Sequence, residues 1–142
     1  MNAKRYLSEI SNIERNIGVK KEKIISLKCI AENCSPHLSG MPHNPHKSSS
    51  PMADAVCKII DLENEIKRDS ALLEKKKIFL LDLIGQLENT NQQIVLIKRY
   101  FEHWSWDRIC RFTYYSRSWV NELHKQGISA LDEVFLSVTE IP

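Results

Sequence analysis

A group of polar residues near the carboxyl end of the chain has side chains that can hydrogen-bond to nucleic-acid bases and phosphates. These residues recur at helical spacing after a serine, and they are Arg117, Ser118, Asn121, Glu122 and Lys125. Arginine can donate to guanine, asparagine can bridge adenine, and glutamate can accept from cytosine. Serine and lysine can hold phosphates. The pattern predicts a helix that reads the major groove of double-stranded DNA.

The apolar residues of the same segment indicate how that helix is supported. They occupy the positions that a compact helix-turn-helix needs for its core, and they are Ile94, Ile97, Tyr100, Trp106, Ile109, Cys110, Val120, Leu123 and Ile128. Between 92 and 131, six basic residues face only three acidic ones. Arg108 and Arg111 lie on the supporting helix, where they can meet the phosphate backbone. A purely structural or protein-binding three-helix unit remains the alternative.

Three polar residues predict where the helices of this segment begin. Thr90 can cap a helix over about 91–101, Ser105 one over 106–112, and Ser116 one from 117 to about 136. Gly127 lies inside the third helix, where glycine costs about 1 kcal/mol relative to alanine, and it indicates close packing or a bend. We expect the tail, residues 137–142, to be frayed.

The order of these motifs resembles region 4 of sigma factors. The resemblance rests on Tyr100, Ser105-Trp106-Asp107, Ile109-Cys110 and Ser116-Arg117-Ser118-Trp119-Val120. The rest of the chain is similar to small proteins of Gram-positive phages and prophages, at Leu38-Ser39-Gly40-Met41-Pro42 and along 55–63. The resemblance implies a phage-type transcriptional regulator that binds promoter or operator DNA, with RNA polymerase as a further partner.

The turn before the third helix departs from that family. Region 4 usually has Leu-Gly-apolar there, whereas this chain has Thr113-Tyr114-Tyr115. No glycine supplies the left-handed backbone that such turns often use. We expect either that Tyr114 adopts this backbone under mild strain or that the turn has another shape.

The amino-terminal half has two long heptad patterns. In the first, apolar residues mark one seam through Ala3, Ile10, Ile17, Ile24 and Ala31. The second seam position carries Tyr6, Ile13, Lys20, Leu27 and Cys34. From about 52 to 87 the repeat continues with Ile59, Ile66, Leu73, Leu80 and Leu87. These periods predict a helical hairpin or coiled coil.

Four prolines, a glycine and a serine run separate the two heptad patterns, so we expect a flexible loop over 35–51. The loop allows the second helix to fold back on the first, or both to pair with another copy or with another protein. The expected fold class is all-α, with a helical hairpin or coiled coil in 1–88 and a DNA-binding helix-turn-helix domain in 89–142. The rival function is a helical adaptor that binds polymerase or a phage or host regulator without reading DNA.

Composition limits the other function classes. The amino terminus lacks an apolar run, so we expect no membrane partner and a cytoplasmic location in a bacterial host cell. His37, His43 and His46, with Cys29, Cys34 and Cys57, lack the Cys-x-x-Cys spacing of a zinc site, so we predict no metal and no other cofactor. Without a glycine-rich phosphate loop or a nucleophile elbow, we also predict that the protein is not an enzyme.

Overall fold

The computed structural model describes residues 2–33 and 50–142. These residues form five α-helices, α1 (Ala3–Asn33), α2 (Pro51–Gly85), α3 (Thr90–Tyr100), α4 (Trp106–Thr113) and α5 (Arg117–Leu136). The described ranges contain no β-strand. The prediction of an all-α protein is therefore confirmed.

The chain divides into two compact units. Unit 1 consists of Met1–Asn12 and Leu73–Pro142, and unit 2 consists of Ile13–Leu72. Both long helices therefore contribute to both units. The predicted boundary between 88 and 89 lies inside unit 1, because the first turns of α1 and the last turns of α2 share a core with α5.

The main core of unit 1 combines aliphatic and aromatic side chains. Its buried members are Ala3, Tyr6, Leu7, Ile10, Leu80, Leu83, Ile84, Leu87, Leu96, Ile128, Leu131 and Phe135. The Tyr6 ring lies 5.7 Å from that of Phe79 and 5.3 Å from that of Phe135. Burial, with the nearby Glu9 carboxylate, raises the pKa of Tyr6 to about 12. Here α1 and α2 run antiparallel, since Tyr6 contacts Phe79 and Glu9 contacts Lys76.

Side-chain hydrogen bonds hold the start of α1 and the residue Pro142 within unit 1. Asp132 of α5 accepts a hydrogen bond from the Ala3 amide at 2.6 Å, and Asn2 accepts one from the Arg5 amide at 2.8 Å. A carboxylate at a helix amino terminus also complements the helix dipole. Lys76, which is buried, donates to the Pro142 carbonyl at 2.7 Å.

Two local expectations need correction, and one is confirmed. The cap of α3 is Asn89, not Thr90, because the Asn89 carboxamide accepts from the Asn91 and Gln92 amides. The tail is not merely frayed, since Val138 and Ile141 pack against the unit 1 core. In contrast, Ser105 and Ser116 cap α4 and α5 as predicted.

In unit 2, the described residues at the predicted seam positions of α1 are buried or half-buried. Ile17 and Ile24 are buried, and Ile13, Lys20 and Leu27 are half-buried. Lys20 forms ion pairs with Asp69 at 2.6 Å and Glu65 at 3.4 Å on α2. The two carboxylates explain why a lysine, Lys20, can occupy a seam position.

The predicted loop over 35–51 and the residues Cys34, His37, His43 and His46 lie outside the described residues, except at the loop's end. There α2 begins at Pro51, with the Ser50 hydroxyl accepting from the Ala53 amide at 3.1 Å. Proline suits the first helical position because its missing amide proton needs no acceptor. None of the described helices combines the length and the apolar character that crossing a membrane requires.

Candidate nucleic-acid interface

The helices α3, α4 and α5 meet in a second, smaller core within unit 1. Its fully buried members are Val95, Ile109, Val120 and Leu123. Trp104, Trp106, Cys110 and Tyr115 are partly buried against it. Five of the nine predicted core residues lie in this core: Trp106, Ile109, Cys110, Val120 and Leu123. Ile97, Tyr100 and Ile128 instead pack in the main core of unit 1.

On α3 the buried residues are each one position away from the residues that the sequence pattern predicts to be buried. Val95 and Leu96 are fully buried, whereas Ile94 and Ile97 are only half-buried. The reason is that α3 packs on two cores at once, Val95 on the smaller core and Leu96 on the main core of unit 1. A pattern that assumes one apolar stripe on a helix does not predict that two adjacent sides of the helix are buried.

Gly127 allows α5 to approach α3 closely. A Cβ atom at this position would lie 3.2 Å from Leu96 Cδ1 and 3.4 Å from Leu96 Cγ. Those distances are shorter than ordinary contacts between carbon atoms. Of the two expectations for this glycine, close packing is therefore the one observed.

The turn between α4 and α5 sets where α5 begins. Tyr114 has φ 60° and ψ 22°, which is left-handed backbone, and its side chain is 94% exposed. The Thr113 hydroxyl donates to the Ile109 carbonyl at 2.8 Å, and the Ser116 hydroxyl accepts from the Trp119 amide at 3.2 Å. The first of the two expected turn geometries is therefore found. Tyrosine occupies a conformation that glycine adopts at lower cost.

The predicted contact residues all lie at the surface. Those on α5 are Arg117, Ser118, Asn121, Glu122 and Lys125, and those on α4 are Arg108 and Arg111. On α5 they alternate with Val120 and Leu123, which are fully buried in the smaller core. The described helix therefore has an apolar side that anchors it and a polar side open to solvent.

Arg117 links the starts of α4 and α5. Its Nη1 atom lies 3.1 Å from Asp107 Oδ1, and its guanidinium lies 5.9 Å from the centre of the Trp106 ring. Both side chains of this ion pair are more than half exposed. Such pairs contribute little to stability, on the order of 0–1 kcal/mol. Arg117 can therefore leave Asp107 for a phosphate or a guanine at low cost.

Basic side chains of α3 and α4 stack on Trp104. The Arg108 guanidinium lies 4.0 Å from the Trp104 ring centre, and Lys98 Nζ lies 4.5 Å from it. Lys98 also pairs with Glu102 at 2.8 Å. Stacking restricts the Arg108 side chain while its donors remain available, because cation–π contact uses the face of the guanidinium.

His124 connects α5 to α3 behind the polar side. Its Nε2 atom lies 2.7 Å from the Tyr100 hydroxyl, and its ring contacts that of Trp106 at 4.9 Å between centres. Burial, and then the charges of Arg99 and Lys4, lower the pKa of His124. Burial also raises the pKa of Tyr100. A neutral imidazole can accept a hydrogen bond from the Tyr100 hydroxyl, so the pair links α5 to α3.

The structure adds exposed aromatic rings to the polar residues that the sequence predicts at this surface. Trp119 is 44% exposed in the first turn of α5, and Phe112 is 52% exposed on α4. Tyr114 lies between them in sequence and is almost fully exposed. The sequence does contain a signal for Trp119, because this residue follows the serine cap on the same helix turn as Arg117 and Ser118.

No family model, curated protein or solved structure matches this chain.

Proposed function

We propose that this protein is a phage-type transcriptional regulator that binds double-stranded promoter or operator DNA through the exposed side of α5. The observation that carries the proposal is the arrangement of α5 itself. Its polar residues over 117–125 are exposed, while Val120 and Leu123 between them are fully buried. A helix that reads the major groove needs such a two-sided arrangement on its first turns.

The start of α5 supplies further donors to the same partner. Helix geometry leaves the first-turn amides of Arg117 and Ser118 without intrahelical acceptors, while Ser116 already accepts from the Trp119 amide. Free amides and the positive end of the helix dipole favour a phosphate at this position. The turn and the amino end of α5 would therefore contact the DNA backbone.

Separate roles follow for the individual residues. Arg117 and Asn121 would contact base edges, since arginine pairs with guanine and asparagine with adenine. Lys125, Arg108 and Arg111 would contact phosphates and so contribute to affinity without selecting a sequence. The sequence resemblance to region 4 of sigma factors supports the same assignment and adds RNA polymerase as a second partner.

The test begins with selection of binding sites from a random duplex library by the full chain. The affinity for the selected duplex is then measured by fluorescence anisotropy for Arg117→Ala and Asn121→Ala. Each change should cost about 1–3 kcal/mol and relax the base preference at one position. Lys125→Ala should weaken binding to every sequence and reduce the salt slope of log K by about 1.

Matched controls are available on α2, where Arg68, Asn64 and Lys67 are also exposed. Their substitution by alanine should leave both affinity and salt slope unchanged. If the variants of α5 bind as tightly as these controls, α5 does not read DNA. If affinity for duplex DNA is absent at low salt, the protein is not a DNA-binding regulator.

A further inference from the structure

Unit 2 has an open groove along its two helices. The groove has a volume of about 950 Å³ and is lined by residues of both α1 and α2. Val19 and Leu27 of α1 and Leu62 of α2 contribute its apolar surface. Val19 is 53% exposed, so this surface is open to solvent.

Unit 2 has a set of exposed apolar side chains, of which Val19 lines the groove and the others do not. The set consists of Val19, Ile25, Ile30, Met52, Val56, Ile60 and Leu72, each 42% to 55% exposed. Two helices packed through one seam can bury only the sides that face each other. Exposed apolar surface of this kind, bordered by charged residues, is typical of an interaction site.

The charges along the groove differ between the two helices. On α1 the groove has Arg15 and Lys23 against one acidic residue, Glu22. On α2 it has Asp61 and Glu65 against one basic residue, Lys58. The α1 side is thus net positive and the α2 side net negative.

Most of these charges have no partner of their own. Of the six, only Glu65 is in an ion pair within the described chain, and its partner is Lys20. A partner that covers the groove with the same two helices in exchanged positions would neutralise both sides. A second copy of this chain, related by a two-fold axis, provides that arrangement.

We propose that a second copy of this chain docks in the groove and forms a four-helix dimer through unit 2. With the two-fold axis parallel to the helices, α1 of each copy lies against α2 of the other. Lys23 of one copy then faces Asp61 and Glu65 of its partner, and Val19 becomes buried. Such charge pairs at the edge of an apolar seam select the partner and its orientation. The proposal does not depend on DNA binding.

The first test is the mass of the full chain in solution, measured by light scattering after gel filtration. We expect twice the 16.5 kDa of one chain. Val19→Asp should give the monomer mass, because it places an unpaired charge in the dimer seam. The matched control is Ile78→Asp on α2 in unit 1, where the side chain is 56% exposed and outside the groove. This variant should stay dimeric.

A charge exchange between copies tests the arrangement of the helices. Lys23→Glu and Asp61→Lys should each weaken the homodimer, because like charges then face each other across the seam. When the two variants are mixed, the mixed dimer restores opposite charges at both contacts. Native mass spectrometry with one variant isotopically labelled should therefore find mixed dimers above the statistical share. An effect on the folding of one chain cannot produce that preference.

Three results would overturn the proposal. One is a monomeric wild-type chain over the whole accessible concentration range, which would leave the groove for a different protein. Another is a dimer that persists in Val19→Asp while circular dichroism reports unchanged helix content. The third is a statistical mixture of the two charge variants, which would exclude contact between α1 of one copy and α2 of the other.

Discussion

Unit 1 and unit 2 are built on the same two long helices but differ in how completely they bury their apolar residues. In unit 1 the helices α3 and α5 pack with α1 and α2 in the main core, where Tyr6, Ile84 and Leu131 are at most 1% exposed. A smaller core joins α3, α4 and α5. In unit 2, Ile25 on α1 and Ile60 on α2 are each more than half exposed. Unit 1 therefore encloses packed cores within one chain, whereas the apolar side chains of Ile25 and Ile60 in unit 2 stay open to solvent.

The difference separates what a heptad pattern specifies from what it leaves open. The repeat sets which residues form the seam between two helices. It does not say what covers the remaining sides. In unit 1 part of those sides is covered by α5. Phe135 illustrates this, since its ring centre lies 5.3 Å from that of Tyr6. In unit 2 the described residues show no such cover over Val19.

Two isoleucines on α2 provide the largest expected contrast. Ile84 is 1% exposed in unit 1 and Ile60 is 51% exposed in unit 2. Ile84→Ala should lower the free energy of unfolding by about 2–5 kcal/mol, because it leaves a cavity in a packed core. Ile60→Ala should change it by less than about 1 kcal/mol. Urea unfolding under identical conditions measures both, and equal losses would remove the distinction between the units.

The cap that joins α5 to α1 should have the next largest effect. Asp132→Ala removes the acceptor for the Ala3 amide and should cost about 0.5–2 kcal/mol. The neighbouring Glu133 is exposed, and Glu133→Ala serves as the matched control with a change of less than about 0.5 kcal/mol. Thermal unfolding of the two variants checks this closure of unit 1, and identical melting temperatures would argue against it.

The turn before α5 is a position in unit 1 that can be improved. Tyr114→Gly should raise the free energy of unfolding by about 1 kcal/mol, since left-handed backbone costs a residue with a Cβ atom about that amount. Tyr114→Ala is the matched control, because it removes the exposed ring and keeps the Cβ atom. It should bring no gain in urea unfolding. A gain of similar size in both variants would assign the effect to the ring.

The contact of His124 with Tyr100 predicts a smaller, pH-dependent effect. Because the pKa of His124 is lowered in the folded protein, the unfolded chain binds its proton first as the pH falls. The contribution of His124 to the free energy of unfolding is complete above pH 6.5, the ordinary pKa of histidine. This contribution declines as the pH falls below that value. His124→Gln should therefore lose less stability between pH 7.5 and pH 5.5 than the wild type. Denaturant unfolding at both values measures the difference, and an unchanged loss would exclude His124 as its source.

Much of the secondary structure could be predicted from local signals. Serine caps at 105 and 116 and the seven-residue spacing of Ile10, Ile17 and Ile24 gave α4, α5 and the seam of α1. The exposed side of α5 followed from the same helical period. These features depend on residues within a few turns of each other.

The features that were missed depend on contacts between distant segments. The residues near Ala3 in sequence do not indicate that Asp132 accepts a hydrogen bond from its amide. The residues near Lys76 likewise do not indicate that it donates to the Pro142 carbonyl. The paired burial of Val95 and Leu96 likewise requires knowing that α3 contacts two cores. For the candidate site, the residue types were available from the sequence. The ion pair of Arg117 with Asp107 was not.

Hydrogen exchange of the full chain, with and without the selected duplex, tests the DNA-binding role of α5 most directly. In the free protein the amides of Arg117 and Ser118 should exchange quickly, because they lack intrahelical acceptors. We expect DNA to slow exchange at the amino end of α5, at 116–125, and to leave the groove residues of unit 2 unchanged. Slowing confined to unit 2, with the start of α5 unaffected, would contradict the proposed function.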